Sequence, residues 1–99
     1  MADETTVSCL ELLKLDLGIK NTSKDVYYNS LLEAAKKELK RKGITLDKDS
    51  VEDAMLISDY AAWCYRKREE NIPLPVNLQL RIRNRIVSAR AKKGGGTNV

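Results

Sequence analysis

Apolar side chains recur along this chain at helical spacing in four stretches, each opened or closed by residues that suit a helix end. Ser8-Cys9-Leu10-Glu11 fits a capping box, a hydroxyl for the N3 amide and a carboxylate reaching back to the cap, and it opens a run through Leu12, Leu13 and Leu15. Gly18 follows the last turn, where a left-handed residue is usual. A helix of about ten residues is too short to be stable alone, so packing must hold it. Thr22 with Asp25 forms a second start signal, after which Tyr28, Leu31, Leu32, Ala35 and Leu39 fall on one helical face. Lys36, Lys37, Lys40, Arg41 and Lys42 load its last turns, where cations suit the negative end of the helix dipole, and Gly43 closes it. That basic cluster has a sufficient structural explanation, with a phosphate or partner contact as the alternative.

Ile44-Thr45-Leu46 reads as a short connector, and Ser50 with Asp53 begins a third helix running to about Arg68. At 100° per residue its apolar side chains surround nearly the whole axis: Val51, Met55 and Ala62; Leu56, Tyr60 and Trp63; Ile57, Ala61 and Cys64. A helix apolar all round is buried all round. It is therefore the central element, or is partly covered by another subunit, and Met55, Tyr60, Trp63 and Tyr65 are its expected packing residues. Asn71-Ile72-Pro73-Leu74-Pro75 cannot continue a helix, because both prolines remove donors and push their predecessors towards extended geometry.

Asn77 is placed to cap a fourth segment reaching about Arg90. Leu78, Leu80 and Ile82 alternate with Arg81, Arg83 and Arg85 as an edge strand would, but Ile86, Val87 and Ala89 break the alternation and favour a helix. As a helix it carries Leu78, Ile82, Ile86 and Ala89 in one stripe and Leu80 with Val87 in a second, about 150° away. One stripe serves a core; a second, separate one points to another protein surface, unless it consists of scattered surface apolars. The expected fold is all-α, a small bundle of three to four helices with a flexible C-terminal tail. It divides into an N-terminal arm over 1–7, a helical domain over 8–91, and a basic, glycine-rich tail over 92–99.

Charge sharpens this picture. Residues 1–60 hold nine Lys/Arg against twelve Asp/Glu, whereas 61–99 hold nine against two, so the formal +4 conceals a dipolar molecule. From Asn71 onward there are six basic residues, Arg81, Arg83, Arg85, Arg90, Lys92 and Lys93, and no acid. One end is suited to a polyanion or an acidic protein surface. The chain has no histidine, which removes the commonest general base and metal ligand, and no Gly-rich phosphate loop or nucleophile elbow replaces it. Neither an enzyme nor a cofactor is expected. Cys9 and Cys64 lie far apart, each in an apolar helical pattern, and read as buried thiols rather than metal ligands. No apolar window reaches the 18 or so residues of a membrane span, and the acidic start (Asp3, Glu4) is unlike a signal peptide. A cytosolic protein that does not meet a membrane is expected.

In order and spacing, four segments together resemble the small head–tail connector (adaptor) proteins of long-tailed bacteriophages and prophages, over roughly residues 8–90. They are Leu10-Glu11-Leu12-Leu13-Lys14-Leu15-Asp16-Leu17-Gly18-Ile19; the lysine-rich helix ending Arg41-Lys42-Gly43-Ile44; Asp53 through Tyr60-Ala61-Ala62-Trp63 to Tyr65-Arg66-Lys67-Arg68; and the Arg/Asn-rich helix from Leu78 to Ile86 after the proline break. The Ile72-Pro73-Leu74-Pro75 break departs from the Met-Pro-Arg-like segment of that family. The resemblance implies a helical bundle that assembles as a ring of about twelve copies beneath the portal. Such a ring extends the DNA channel and offers a docking surface to the next neck or tail protein, a stopper or tail-completion protein. It implies a virion protein of the head–tail junction, assembled in the host cytoplasm, whose partners are the portal protein, further copies of itself, and DNA that passes without sequence-specific contact. By the same analogy Leu78, Leu80, Arg81, Ile82, Arg83, Arg85, Val87, Arg90, Lys92 and Lys93, with the glycine tail, lie at the portal interface. A small helical DNA-binding regulator is the alternative reading, and a membrane-surface amphipathic helix over 78–90 a third.

Overall fold

The computed structural model describes residues 8–47 and 49–98, the last eight of them as backbone alone. The N-terminal arm over 1–7 and the side chains of Lys92 and Lys93 lie outside the described residues. The order is α1 (Cys9–Leu17), α2 (Asp25–Arg41), α3 (Val51–Glu70) and α4 (Val76–Asn98), an all-α bundle with no strand among the described residues.

Local chemistry sets most of the helix ends. Ser8 Oγ accepts from the Glu11 amide at 3.3 Å and Ser50 Oγ from the Asp53 amide at 3.2 Å, each satisfying a donor that the first turn leaves free. Gly18 stands at φ 75° and Gly43 at φ 103°. At the first stop the Ile19 amide reaches back to Lys14 O at 2.8 Å, and at the second the Ile44 amide reaches Leu39 O at 3.1 Å, the longer bond of a Schellman turn in each case. The second helix begins differently from the expectation. Lys24 holds the cap position without a side-chain hydrogen bond, and Thr22 contributes only its carbonyl, which accepts from the Asp25 amide at 3.2 Å. Asp25 instead pairs with Lys14 Nζ at 2.7 Å, tying the start of α2 to the end of α1.

α3 is the central element, packed on by α1, α2 and α4. Leu56, Ile57, Tyr60, Ala61 and Ala62 are buried on it, and they meet Leu13 from α1, Leu32, Ala35 and Leu39 from α2, and Leu78 and Ile82 from α4 in one core cluster. Ile44, expected in a connector, is also core. Trp63 and Tyr65 are half-buried against this cluster. The Trp63 indole donates to Ile72 O at 3.1 Å and its ring stacks edge-on to Tyr60, so it anchors the proline segment onto α3. Asn71, at φ 52°, ends α3, and Pro73 and Pro75 then carry the chain in non-helical conformation to Val76.

α4 differs from expectation at both ends. It starts at Val76, which places Asn77 inside the first turn instead of at the cap. Its backbone stays helical to Asn98, through the segment expected to be a flexible extension, because Ala89, Ala91, Lys92 and Lys93 are good helix formers and no proline intervenes. Gly94, Gly95 and Gly96 each cost about 1 kcal/mol relative to alanine there, so those turns receive no help from their own composition.

Burial pushes the thiols of Cys9 and Cys64 and the phenols of Tyr28 and Tyr60 up, with Tyr65 adding to the shift at Tyr28. Each is a neutral acid whose anion the fold disfavours, so its folded pKa lies above its unfolded one. The stability linked to it is complete below the unfolded pKa and is lost as pH rises through the folded value. The urea midpoint is therefore expected to stay level from about pH 7 to 8 and to fall above about pH 9, first as thiols and then as phenols ionise. A midpoint still level at about pH 11 would contradict this reading.

Candidate protein-interaction site

The two stripes of α4 separate in space as its periodicity predicts. Leu78 and Ile82 are 4% and 6% exposed against α3, with Ile86 and Ala89 half-buried behind them, whereas Leu80 and Val87 are 50% and 56% exposed on the opposite side. This corrects part of the expected partner surface. Leu78 and Ile82 belong to the core, and a partner cannot reach their side chains without removing α4 from the bundle.

The arginines divide along the same line. Arg81 donates to Asp59 at 2.8 Å. Arg85 donates to both Asp53 and the Thr45 carbonyl, the latter at 3.0 Å. These two were expected to contact a partner; they are instead internal clasps, because the helix turns them towards the carboxylates of α3. Asp53 is buried and also accepts from the Asp47 amide at 2.6 Å, so one carboxylate joins the α2–α3 connector, the start of α3 and the middle of α4. Arg83 and Arg90, on the other flank, are exposed and have no carboxylate within ion-pair distance among the described residues.

That free flank faces a groove of about 470 Å³ whose lining includes Leu74, Ile86 and Val87 as apolar surface and Lys42, Arg83 and Arg90 as cations. A second groove, of about 450 Å³, runs between the end of α2 (Arg41, Lys42) and α4 (Arg85, Ser88, Arg90). Arg41 and Lys42 lie at 2.5 and 4.0 Å from Glu38, and Lys36 at 3.2 Å from Glu33, so much of the lysine-rich end of α2 is a solvated, internally paired face. Lys42 and Leu74 become part of the site only through the packing of α4 beside the end of α2. Leu74 carries no local signal for that role, and Lys42 is marked only as one of the basic cluster for which a partner contact is the alternative reading. Met55, 46% exposed, borders a separate groove with Glu52, Arg81 and Arg85. Tyr60 is core, and Trp63 and Tyr65 pack within the chain.

Cations held on one rim of an apolar trough recognise carboxylates or phosphates attached to a hydrophobic body. Among the described residues no cluster of His, Cys, Asp and Glu is arranged to hold a metal ion, and no helix is long and apolar enough to cross a membrane. The chain matches no protein-family model, no curated protein and no solved structure.

Proposed function

We propose that this chain is a structural connector subunit of a bacteriophage head–tail junction, forming a ring that docks on the portal and joins the capsid vertex to the neck. The observation that carries the reading is the two-sidedness of α4. Its inner side is fixed to α3 by Leu78, Ile82 and two ion pairs, while its outer side leaves Leu80, Arg83, Val87 and Arg90 open. A helix held firmly on one side and left apolar and cationic on the other is suited to a second protein. The order and spacing of the four helices, which resemble those of the connector family, support the same partner class.

Multiplicity makes a modest contact sufficient. Once a ring is seated, each further subunit contact forms at high effective concentration, so weak individual interfaces add up to a firm joint. Guanidinium groups at Arg83 and Arg90 suit portal carboxylates, which they pair in bidentate fashion. DNA has a smaller part in this reading. Arg81 and Arg85 are neutralised internally, and an unmatched basic lining would grip the duplex that a conduit must let slide. A duplex-binding regulator is less well served by a face that interleaves Leu80 and Val87 with arginine.

Electron microscopy of the purified chain mixed with the portal protein encoded near it tests the proposal. The expected result is an additional ring of density beneath the portal. Absence of any association, together with duplex binding that falls steeply with salt, would replace the connector by the regulator.

A further inference from the structure

The outer side of α4 holds a spacing that specifies its partner more closely than charge does. Leu80, Arg83, Val87 and Arg90 fall at i, i+3, i+7 and i+10, the seam positions of a heptad pattern. Leu80 and Val87 are thus one heptad, about 10.5 Å, apart along the axis. Alongside runs the groove of about 470 Å³ with its apolar Leu74, Ile86 and Val87 and its cationic Lys42, Arg83 and Arg90.

We infer that this groove receives an amphipathic helix of the partner protein, whose apolar stripe covers Leu80, Val87 and Leu74 and whose aspartates or glutamates meet Lys42, Arg83 and Arg90. The inference rests on the connector reading for the identity of the partner, the portal, and adds the chemistry of its docking segment. Charge complementarity selects the occupant. Residues 71–90 contain no acid, and among the described residues the carboxylates paired with α4, Asp53 and Asp59, are held on its inner flank by Arg85 and Arg81, while Lys42 has Glu38 at 4.0 Å. No carboxylate of the described residues pairs with Arg83 or Arg90, so these two cations are open to the acids of a partner. The α4 of a second copy has no acid to offer Arg83 and Arg90, so pairing with it would leave both cations without a carboxylate. A nucleic acid fits less well, because three cations release few counterions, with a log–log salt slope of only about −3, and phosphates would leave Leu80 and Val87 in water.

The probes are two fluorescently labelled synthetic helices of about three heptads, with leucine at the a positions and either glutamate or lysine at d and e. Each is titrated with the full chain by fluorescence anisotropy. The glutamate helix is expected to bind, and to lose at least about tenfold in affinity to a chain carrying Arg83→Glu and Arg90→Glu. The lysine helix should show the reverse preference. Both arginines are exposed, so the variant keeps its helical circular dichroism. No binding of the glutamate helix, equal binding to both chains, or tighter binding of a DNA duplex at physiological salt would overturn the inference. Portal docking with no preference between the two helices would overturn it while leaving the connector reading intact. Helix selectivity without portal docking would sustain the groove and remove the connector.

Discussion

Arg85→Ala is expected to lower stability by about 3 kcal/mol, a large share of the roughly 5–15 kcal/mol that holds a domain of this size. The magnitude comes from what is left behind. The Asp53 side chain is only 6% exposed, and removing the guanidinium strands its carboxylate away from water with the Asp47 amide as its one remaining partner among the described residues. Arg85 also releases the Thr45 carbonyl, loosening the connector that leads into α3. Adding Asp53→Asn to the same chain removes the stranded charge and should recover at least about 1 kcal/mol. Arg81→Ala is the control: its pair with Asp59 is 39% exposed on both sides, and such pairs are worth less than about 1 kcal/mol. Urea midpoints of the three variants decide the matter. Equal losses at Arg81 and Arg85 would contradict the view that the Asp53 clasp is the one that seats α4.

Leu39→Ala should destabilise by a similar amount through a different cause. Leu39 is fully buried where the last full turn of α2 meets the core, and truncating it removes apolar burial and leaves a cavity lined by a small core. Such changes cost about 3 kcal/mol or more when the surroundings cannot collapse. With four helices sharing one central element, collapse here requires α2 to move relative to α3. At about 4–8 °C per kcal/mol the melting temperature should fall by more than about 10 °C. Leu15→Ala, at a site 79% exposed on α1, should leave it nearly unchanged. Comparable shifts at the two positions would mean that the core is not organised around α3 as described.

What was legible in the chain was what depends on neighbours within a turn or two. Ser8, Ser50, Gly18 and Gly43 act where their spacing puts them, because capping is a local exchange between a side chain or a left-handed residue and nearby backbone groups. The apolar pattern of α3 marks it as the central helix, although burial all round does not hold, since Val51 and Met55 on one side are 47% and 46% exposed; the two stripes of α4 separate as projected. Other local signals are overridden by what lies beside them. Thr22 and Asn77 have capping chemistry, yet Lys24 holds the cap position of α2, whose first residue Asp25 is paired to Lys14, and α4 begins at Val76 directly after Pro75. The partner surface was only half legible. Helical projection sets Arg81 and Arg85 on one flank of α4 and Arg83 and Arg90 on the other, but nothing nearby says that carboxylates 22 and 32 residues earlier will take the first pair. That Lys42 and Leu74 share a groove with Arg83 and Arg90 follows from the packing of α4 beside the end of α2, a contact no periodicity encodes.

The central claim is that α4 has one side for the bundle and another for a partner. Its most direct test is co-sedimentation of the portal protein with a chain carrying Leu80→Asp, Arg83→Glu and Arg90→Glu, read beside the wild-type chain at matched urea stability. These side chains are exposed and on the side of α4 away from α3, so the variant should keep its unfolding free energy in urea within about 0.5 kcal/mol per substitution and lose the portal. A variant that still docks like the wild type would contradict the account, because the outer side of α4 would then not be the docking surface.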